Sequence, residues 1–453
     1  MFQPCPIRGV IQNYAWGLTK EAALVAKLAE LNVPGSTAAL PENASYAELW
    51  FATHPNGQSR VIDAAFTSNG GVTLQEYLGG EPLPYIFKVL SIRQALSIQA
   101  HPDQVVARDL HKLRPDLYKD PNHKPEQVLA LTPMDALCGF RSLREIAFYA
   151  NNIPPFAALL SAETRNQLES YIAGSATEAK RDSKQAECIL LRAIFSETIA
   201  SSDAENVQKQ ITALYELANN ARARGESAFP ELPFPASMGH RAMNAKRLTD
   251  LIVDLSQQYP GDVGCFCPFV LNCFTLQPGE SVFLAPNVPH AYLSGQCVEV
   301  MACSDNVIRA GLTPKFRDVE TLLRILDYRS VPPVVDTGAT LSPGLKMFNP
   351  PAQFPEFMVF EVHSSSDQDE SKRMVQLPVL DEGAILLCTD GRVALTMTSP
   401  TGDTTEAQIS AGAAWFIPKG TQVELAREGD KAFTCYVCTT NQAAEIKKRH
   451  SSL

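Results

Sequence analysis

The chain of 453 residues lacks several features that would assign its class at once. No stretch comes near the ~20 consecutive apolar residues that a membrane-crossing helix needs, so a membrane protein is not expected. The start, MFQPCPIRGV, has no basic segment followed by an apolar run, which predicts no signal peptide and a cytosolic protein. Cations are in the minority: 39 lysines and arginines against 49 aspartates and glutamates leave a formal charge of -10. Nucleic acid is held by cations that neutralise its phosphates, so no nucleic-acid partner is expected. A local cluster of cations can still hold one small anion on an acidic protein. The eleven cysteines are an odd count spread over a long chain, and they do not form a disulfide framework. The closest group, Cys265, Cys267 and Cys273 in CFCPFVLNCF, has no CxxC pair and sits among apolar residues, so it reads as filler of a core strand rather than as a zinc site.

What is present is an ordinary folded composition, 45% hydrophobic and 19% charged. The length allows two to four domains at about 100–200 residues each. Up to about residue 140, short apolar runs such as Tyr85 to Leu90 and Leu96 to Gln99 are broken by Gly, Pro and Asn, as strands and turns are. The texture then becomes rich in Ala, Glu, Leu and Arg. Ser142 with Glu145 makes a capping box, and Ser202 with Glu205 makes another. After the second, Val207, Ile211, Leu214, Tyr215 and Ala218 recur on one helical face. Strand texture returns after Gly261, interrupted by a helical stretch near Val319 to Leu326 and a polar loop, Ser364 to Lys372.

The chain is therefore expected to be mainly β with a helical insertion: residues 1–140 with 260–325 as one barrel, 141–259 helical, and 326–453 a second barrel. A weak repeat supports two barrels. PGESVFLAPNVPHAY near residue 279 and AGAAWFIPKGTQVEL near 412 share a turn, strand and turn, with Val423 where the first has His290. That second pattern matches the downstream motif of cupin (jelly-roll) barrels without its metal ligand. The chemistry is expected in the first barrel, and the C-terminal one is expected to be structural.

In LSIQAHPD, a strand would turn Ser97, Gln99 and His101 to one face. Glu126 follows in NHKPE, and His290 arrives from the later strand pair. One amide, two imidazoles and one carboxylate form a plausible zinc site of N and O donors. Singly each is weak, since a lone histidine is more often a hydrogen-bonded core or surface residue, as His54 and His111 are read here. Lys88 inside an apolar run is expected to face a pocket, because burying an unpaired ammonium is costly.

The runs QNYAWG (Gln12 to Gly17), YAELW and THPNG (Tyr46 to Gly57), LSIQAHPD, NHKPE, NVPHAYL (Asn287 to Leu293) and SDNVIRAGLTPKF (Ser304 to Phe316) resemble the signature stretches of type I mannose-6-phosphate isomerases. They come in that family's order with a helical domain between, over about residues 1 to 325. The resemblance implies a cupin fold, one Zn2+ held by Gln99, His101, Glu126 and His290, an essential arginine at Arg309, and pocket residues at Trp16, Glu48, Lys88, Ser97, Lys124, Asp305 and Lys315. Tyr292, just past a ligand, is expected to line the same cavity. It further implies a phosphosugar substrate, whose aldose–ketose isomerisation passes through a cis-enediolate; a monomer is expected, although the sequence does not fix the oligomeric state. The base is expected in the His123/Lys124 region, with Glu48 and Asp305 as alternatives; otherwise His123 would orient Glu126 or the turn. Trp50 is expected to be core packing. Two rival readings stay open: a cupin oxygenase holding iron, and a sensor or storage bicupin that binds without turnover.

Overall fold

The computed structural model describes residues 2–32, 40–62, 71–174, 182–365, 374–429 and 431–451. Among these, two antiparallel sheets of eleven strands each carry the architecture. The spine of the first runs Val335–Asp336, Ser281–Leu284, Glu126–Ala130, His290–Ala302, Tyr85–Ile92, Glu48–Phe51 and Val10–Gln12. The short strand Ile98–Ala100 pairs with the start of His290–Ala302 and with Ile308–Gly311. In the second sheet the order is Ala339–Ser342, Leu345–Phe348, Met358–Ser364, Phe433–Thr439, Ala384–Thr398 and Ala414–Ile417.

Each sheet curls through one long strand. His290–Ala302 pairs with Met134–Phe140 up to Ser294 and with Tyr85–Ile92 from Gly295 onward. Gly295 has φ 113°, and a Cβ there would lie 2.8 Å from the Met134 Cα, so the corner requires glycine. In the second sheet Ala384–Thr398 pairs with Phe433–Thr439 up to Gly391 and with Gln422–Arg427 beyond it. A Cβ at Gly391 would come within 2.1 Å of the Ala432 carbonyl oxygen. The repeat seen in the sequence falls on strand pairs, Ser281–Leu284 with His290–Ala302 and Ala414–Ile417 with Gln422–Arg427, and Val423, 2% exposed, packs into the core of the second barrel.

The sheets exchange strands across the expected boundary. Cys5–Arg8 pairs with Ala414–Ile417 and with Arg60–Val61, so these two N-terminal strands belong to the C-terminal sheet, while Val335–Asp336 extends the first sheet beside Ser281–Leu284. A shared core seals the two: Phe51, Phe87, Val89, Val298 and Val300 from one side meet Ile385, Leu387, Phe416 and Cys438 from the other. The Tyr85 hydroxyl donates across this seam to the Cys438 carbonyl at 3.0 Å.

The helical insertion packs on the outside of the strands that matter most. Its core joins Ile146, Phe195, Leu214 and Ile252 to Ile98, Ala100, Ala291, Leu293, Ile308 and Ala310. Since strand side chains alternate, the residues between these, Gln99, Tyr292 and Arg309, point to the opposite face, into the barrel. The Ser142 capping box forms as read, with Ser142 Oγ and the Glu145 carboxylate each taking the other's backbone N–H. Around Ser202 the reading is corrected: the helix Ala204–Ala223 is capped by the Asp203 carboxylate, which accepts from Asn206 N–H, an ionised oxygen being a stronger acceptor than a hydroxyl. Cys265 and Cys267 lie in the 3-10 segment Val263–Phe269 rather than on a strand. Both are buried, and burial pushes the thiols of Cys265 and Cys273 up to about 12. Of the expected polar loop, Ser364 ends a strand and is buried, and residues 366–372 lie outside the described ones.

Candidate metal centre and active site

Three buried donor atoms converge at one end of the first barrel. His101, at the exit of Ile98–Ala100, is 2% exposed, and so is Glu126, which begins its strand; His290 is 1% exposed. One ligand atom from each lies within 4.8 Å of the others. Each histidine Nδ1 donates to a backbone carbonyl, His101 to Asn306 at 2.6 Å and His290 to Val288 at 2.9 Å. A carbonyl can only accept, so both Nδ1 atoms carry a proton, and a neutral imidazole held this way presents its lone pair at Nε2. Those lone pairs face a carboxylate: His101 Nε2 is 3.2 Å from Glu126 Oε1 and His290 Nε2 is 3.3 Å from Glu126 Oε2.

Acceptors facing acceptors in a buried site repel unless a cation lies between them. Consistently, His101 Nε2, His290 Nε2 and Glu126 Oε2 have no hydrogen-bond partner, a state that buried polar atoms seldom tolerate. The donor set therefore fits a divalent ion. Burial also pulls the His101 imidazole down to about 4 against the attraction of Glu126. The Glu126 carboxyl is raised by burial, but His101 and Lys124 bring it well below the usual range. His101 is thus a neutral imidazole and Glu126 a carboxylate, the forms that bind a metal.

Gln99 completes the picture by register: it lies directly across from His290 on one side and from Arg309 on the other. Ser97 Oγ donates to the Gln99 side-chain oxygen at 3.1 Å, so the two do share a side as alternation predicts. Arg309 is half-buried. Burial is what lowers its pKa, and among the described residues no ion-pair partner offsets it. A desolvated guanidinium without a counter-ion is a ready site for an anion.

Behind the metal group runs a charged row inside the barrel. Lys88, 5% exposed, has its ammonium 3.0 Å from Glu299 and 3.4 Å from Glu48, and lies 4.7 Å from the Trp50 ring centroid. Burial would lower the Lys88 pKa, but Glu299, Glu48 and Glu126 raise it overall, so it stays charged. Trp50 is core as expected, yet its indole N–H also donates to Glu48. Burial, then Glu299 and Glu126, pushes the Tyr292 phenol well above its ordinary value, so it is a neutral hydroxyl, and that hydroxyl lacks a partner. At the mouth Trp16 is stacked on Tyr14, centroids 5.9 Å apart. Burial, Glu48 and Asp305 raise the Tyr14 phenol while Lys88 opposes, which places Tyr14 beside the same charges. Asp305 is exposed, 3.6 Å from His54.

The His123/Lys124 pair is split. Lys124 Nζ reaches Glu126 Oε1 at 3.1 Å, whereas His123 Nε2 meets Glu356 Oε1 at 2.5 Å. Lys315 is exposed and lines a cleft of about 430 Å³ against helical-insertion residues such as Ser201 and Gln208, a cleft that none of the four ligand residues lines. His111 is the bland case expected, its Nδ1 on the Tyr118 carbonyl at 2.7 Å. Sequence reasoning missed Glu299, Asn306 and Glu356. Glu299 was findable: in VEVMA the apolar Val298 and Val300 face the inter-barrel core, so period two puts the carboxylate inside. Asn306 has no such signal; its carbonyl holds His101 while its amide donates to the carbonyls of Asp120 and Asn122.

Two antiparallel curled sheets packed together, with a buried His–Glu–His group in one of them, define a mononuclear metal-binding bicupin. Residues 5–143 match the family "Phosphomannose isomerase type I, catalytic domain", and residues 159–271 match its helical insertion domain. Mannose-6-phosphate isomerase of Bos taurus is 37% identical over 440 residues, 93% of this chain and 94% of that one, and that of Homo sapiens is 36% identical with the same coverage. Among solved structures, a phosphomannose isomerase from Salmonella typhimurium superposes with TM-score 0.71 at 25% identity, covering 96% of this chain and 99% of that one. A zinc-bound mannose 6-phosphate isomerase gives 0.69 at 26%, covering 96% and 98%. The chain belongs to the type I phosphomannose isomerase family.

Proposed function

We propose that this chain interconverts D-mannose 6-phosphate and D-fructose 6-phosphate, with one Zn2+ held by Gln99, His101, Glu126 and His290. The observation that carries the reading is the convergence of His101 Nε2, His290 Nε2 and Glu126 Oε2, all buried and without a hydrogen-bond partner, beside an uncompensated Arg309. Zinc, when bound, supplies a Lewis acid for the oxygens on C1 and C2 of the sugar.

The isomerisation moves a proton from C2 to C1 through a cis-enediolate, so the chain must supply a base, a fixed positive field and a hold on the phosphate. Arg309 gives positive charge that does not titrate near neutral pH, set across from Gln99. Lys124 lies against Glu126 at 3.1 Å, nearer the ligand group than the ring of His123, which Glu356 and Phe354 occupy; of that pair we assign the proton transfer to Lys124. Glu48 is committed to Lys88 and Trp50, and Asp305 is placed to meet sugar hydroxyls at the mouth. Tyr292 keeps an O–H that can donate to the substrate, and Trp16 with Tyr14 offers a flat wall to the ring. Ser97, Lys88 and Lys315 remain the further substrate-binding candidates, Lys88 through charge and Lys315 from the cleft beside the helical insertion.

The catalytic barrel in this reading is residues 1–140 with 260–325, less the strands lent to the other sheet; 141–259 is the helical domain and 326–453 the barrel without a metal site. We place the enzyme in the cytosol as a monomer, supplying mannose 6-phosphate for mannose activation. No helix among the described residues is long and apolar enough to cross a membrane. Two imidazoles and a carboxylate are also the donor set of non-haem iron oxygenases, but the glutamine and the cation cluster suit a phosphosugar. A coupled assay for fructose 6-phosphate formation from mannose 6-phosphate, with and without chelator, and metal analysis of the same sample decide between them. Iron in the sample and no isomerisation would sink the proposal.

A further inference from the structure

The segment that carries Lys124 and Glu126 is gripped from two directions. On one side it is tied to the first barrel: Asn122 Nδ2 donates to the Cys303 carbonyl at 3.0 Å, and Ser304 Oγ and Asn306 Nδ2 donate to the Asn122 carbonyl at 3.1 and 2.9 Å. On the other side the grip comes from the second barrel. His123 Nε2 meets Glu356 Oε1 at 2.5 Å, and the His123 ring packs on Phe354 with centroids 5.9 Å apart.

The loop bearing those two residues is itself fixed. Asn441, just past the last strand of the second sheet, donates from its side chain to the carbonyls of Pro350 and Phe354 and from its backbone to that of Pro355. Phe354 also packs on Phe283, centroids 5.0 Å apart, and Phe357 is fully buried in the core between the barrels. Stability alone does not account for Glu356. Its side chain is 14% exposed, and its second oxygen is buried without a hydrogen-bond partner, which is a net cost to folding.

We infer that Glu356 is a positioning residue: through His123, it lets the second barrel set the aim of Lys124 and Glu126. Between His123 and Glu126 stand only Lys124 and Pro125, and proline fixes φ. A shift of the His123 backbone therefore has few torsions to absorb it before it reaches the carboxylate. The second barrel, whose counterpart of His290 is Val423, would then serve the site without touching substrate. This rests on the reading of Glu126 as a ligand and of the chain as an isomerase.

The test uses the full zinc-loaded chain and the variants E356A and E356Q. It reads kcat and KM for mannose 6-phosphate, the rate at which 4-(2-pyridylazo)resorcinol strips zinc, and Tm. Loss of a group that orients a metal ligand typically costs about 10–100-fold. E356A is expected to lower kcat by that factor with KM within about threefold, and to speed zinc loss about tenfold. E356Q, which keeps an oxygen to accept from His123, is expected to restore both to within about threefold of the parent. If E356A lowers Tm but leaves kcat and zinc retention unchanged, the residue is only structural and the inference fails. Equal damage in E356Q and E356A would also overturn it, because charge rather than aim would then be what matters. Should the parent chain show no isomerase activity, the functional reading falls, and zinc stripping still decides the positioning role.

Discussion

Lys88 and Glu299 are direct cross-strand partners, and their side chains close a 3.0 Å ion pair inside the barrel. Glu48 approaches the same ammonium at 3.4 Å, so one cation holds two buried carboxylates. Breaking such a group is costlier than never having built it, since the survivors stay buried and uncompensated. Lys88→Met is expected to destabilise the fold by about 3–5 kcal/mol in chemical denaturation. Adding Glu299→Gln to it should recover part of that loss, and a double variant less stable than the single one would show that the pair is not coupled.

Removing a ligand should separate metal from fold. His290→Ala and Glu126→Gln each leave the hydrophobic clusters intact and relieve the facing lone pairs, so circular dichroism should match the parent. Metal analysis should fall from about one zinc per chain towards zero, and kcat by roughly 10³-fold or more, several kcal/mol of barrier at about 1.4 kcal/mol per decade. Full zinc content in either variant would refute the ligand assignment.

Arg309→Ala should do the opposite. Loss of a fixed positive group at a developing oxyanion costs about 10²–10³ in kcat, while zinc content and Tm stay near the parent because among the described residues no carboxylate pairs with this guanidinium. Arg309→Lys keeps charge without the planar fork and should fall between the two. A variant that kept its kcat but lost zinc would reverse the roles given to Arg309 and the ligand set.

The helical insertion is joined to the barrel through an acid-sensitive contact. Arg141 donates to the Pro268 carbonyl at 2.9 Å and pairs with Glu145 at 3.3 Å, and Glu145 also accepts from Ser142 and Ser237. Burial raises the Glu145 carboxyl, but Arg141 and the hydroxyls bring it below the ordinary range. A depressed folded pKa means that the unfolded chain binds more protons near pH 4, so this contribution is present above the ordinary carboxylate pKa and is lost as pH falls through the folded one. Glu145→Gln should therefore be less stable than the parent at pH 7, by about 1–3 kcal/mol for a weakened partner of a buried charge. The gap in Tm should narrow as pH falls below the ordinary carboxylate range; a gap constant with pH would rule out ionisation as its source.

Local chemistry made much of this legible. Period two in LSIQAHPD turned Gln99 to the barrel side, because the apolar neighbours Ile98 and Ala100 face a core; Arg309 came from the family resemblance, and its apolar neighbours Ile308 and Ala310 show the same alternation in the fold. The Ser142 box formed because its donors and acceptors lie within four residues of one another. The Ser202 box failed where a stronger acceptor stood one residue later.

The sequence by itself determined the residue types that can hold a cation, the strand faces they take, the helical insertion and the missing imidazole at Val423, since each follows from spacing along the chain. Only the tertiary structure decided which carboxylates Lys88 would hold, that the first strand would join the last sheet, and that His123 would lean on Glu356, 233 residues away. Those pairings depend on how two curled sheets meet, and a contact between distant residues leaves no periodic trace in either segment.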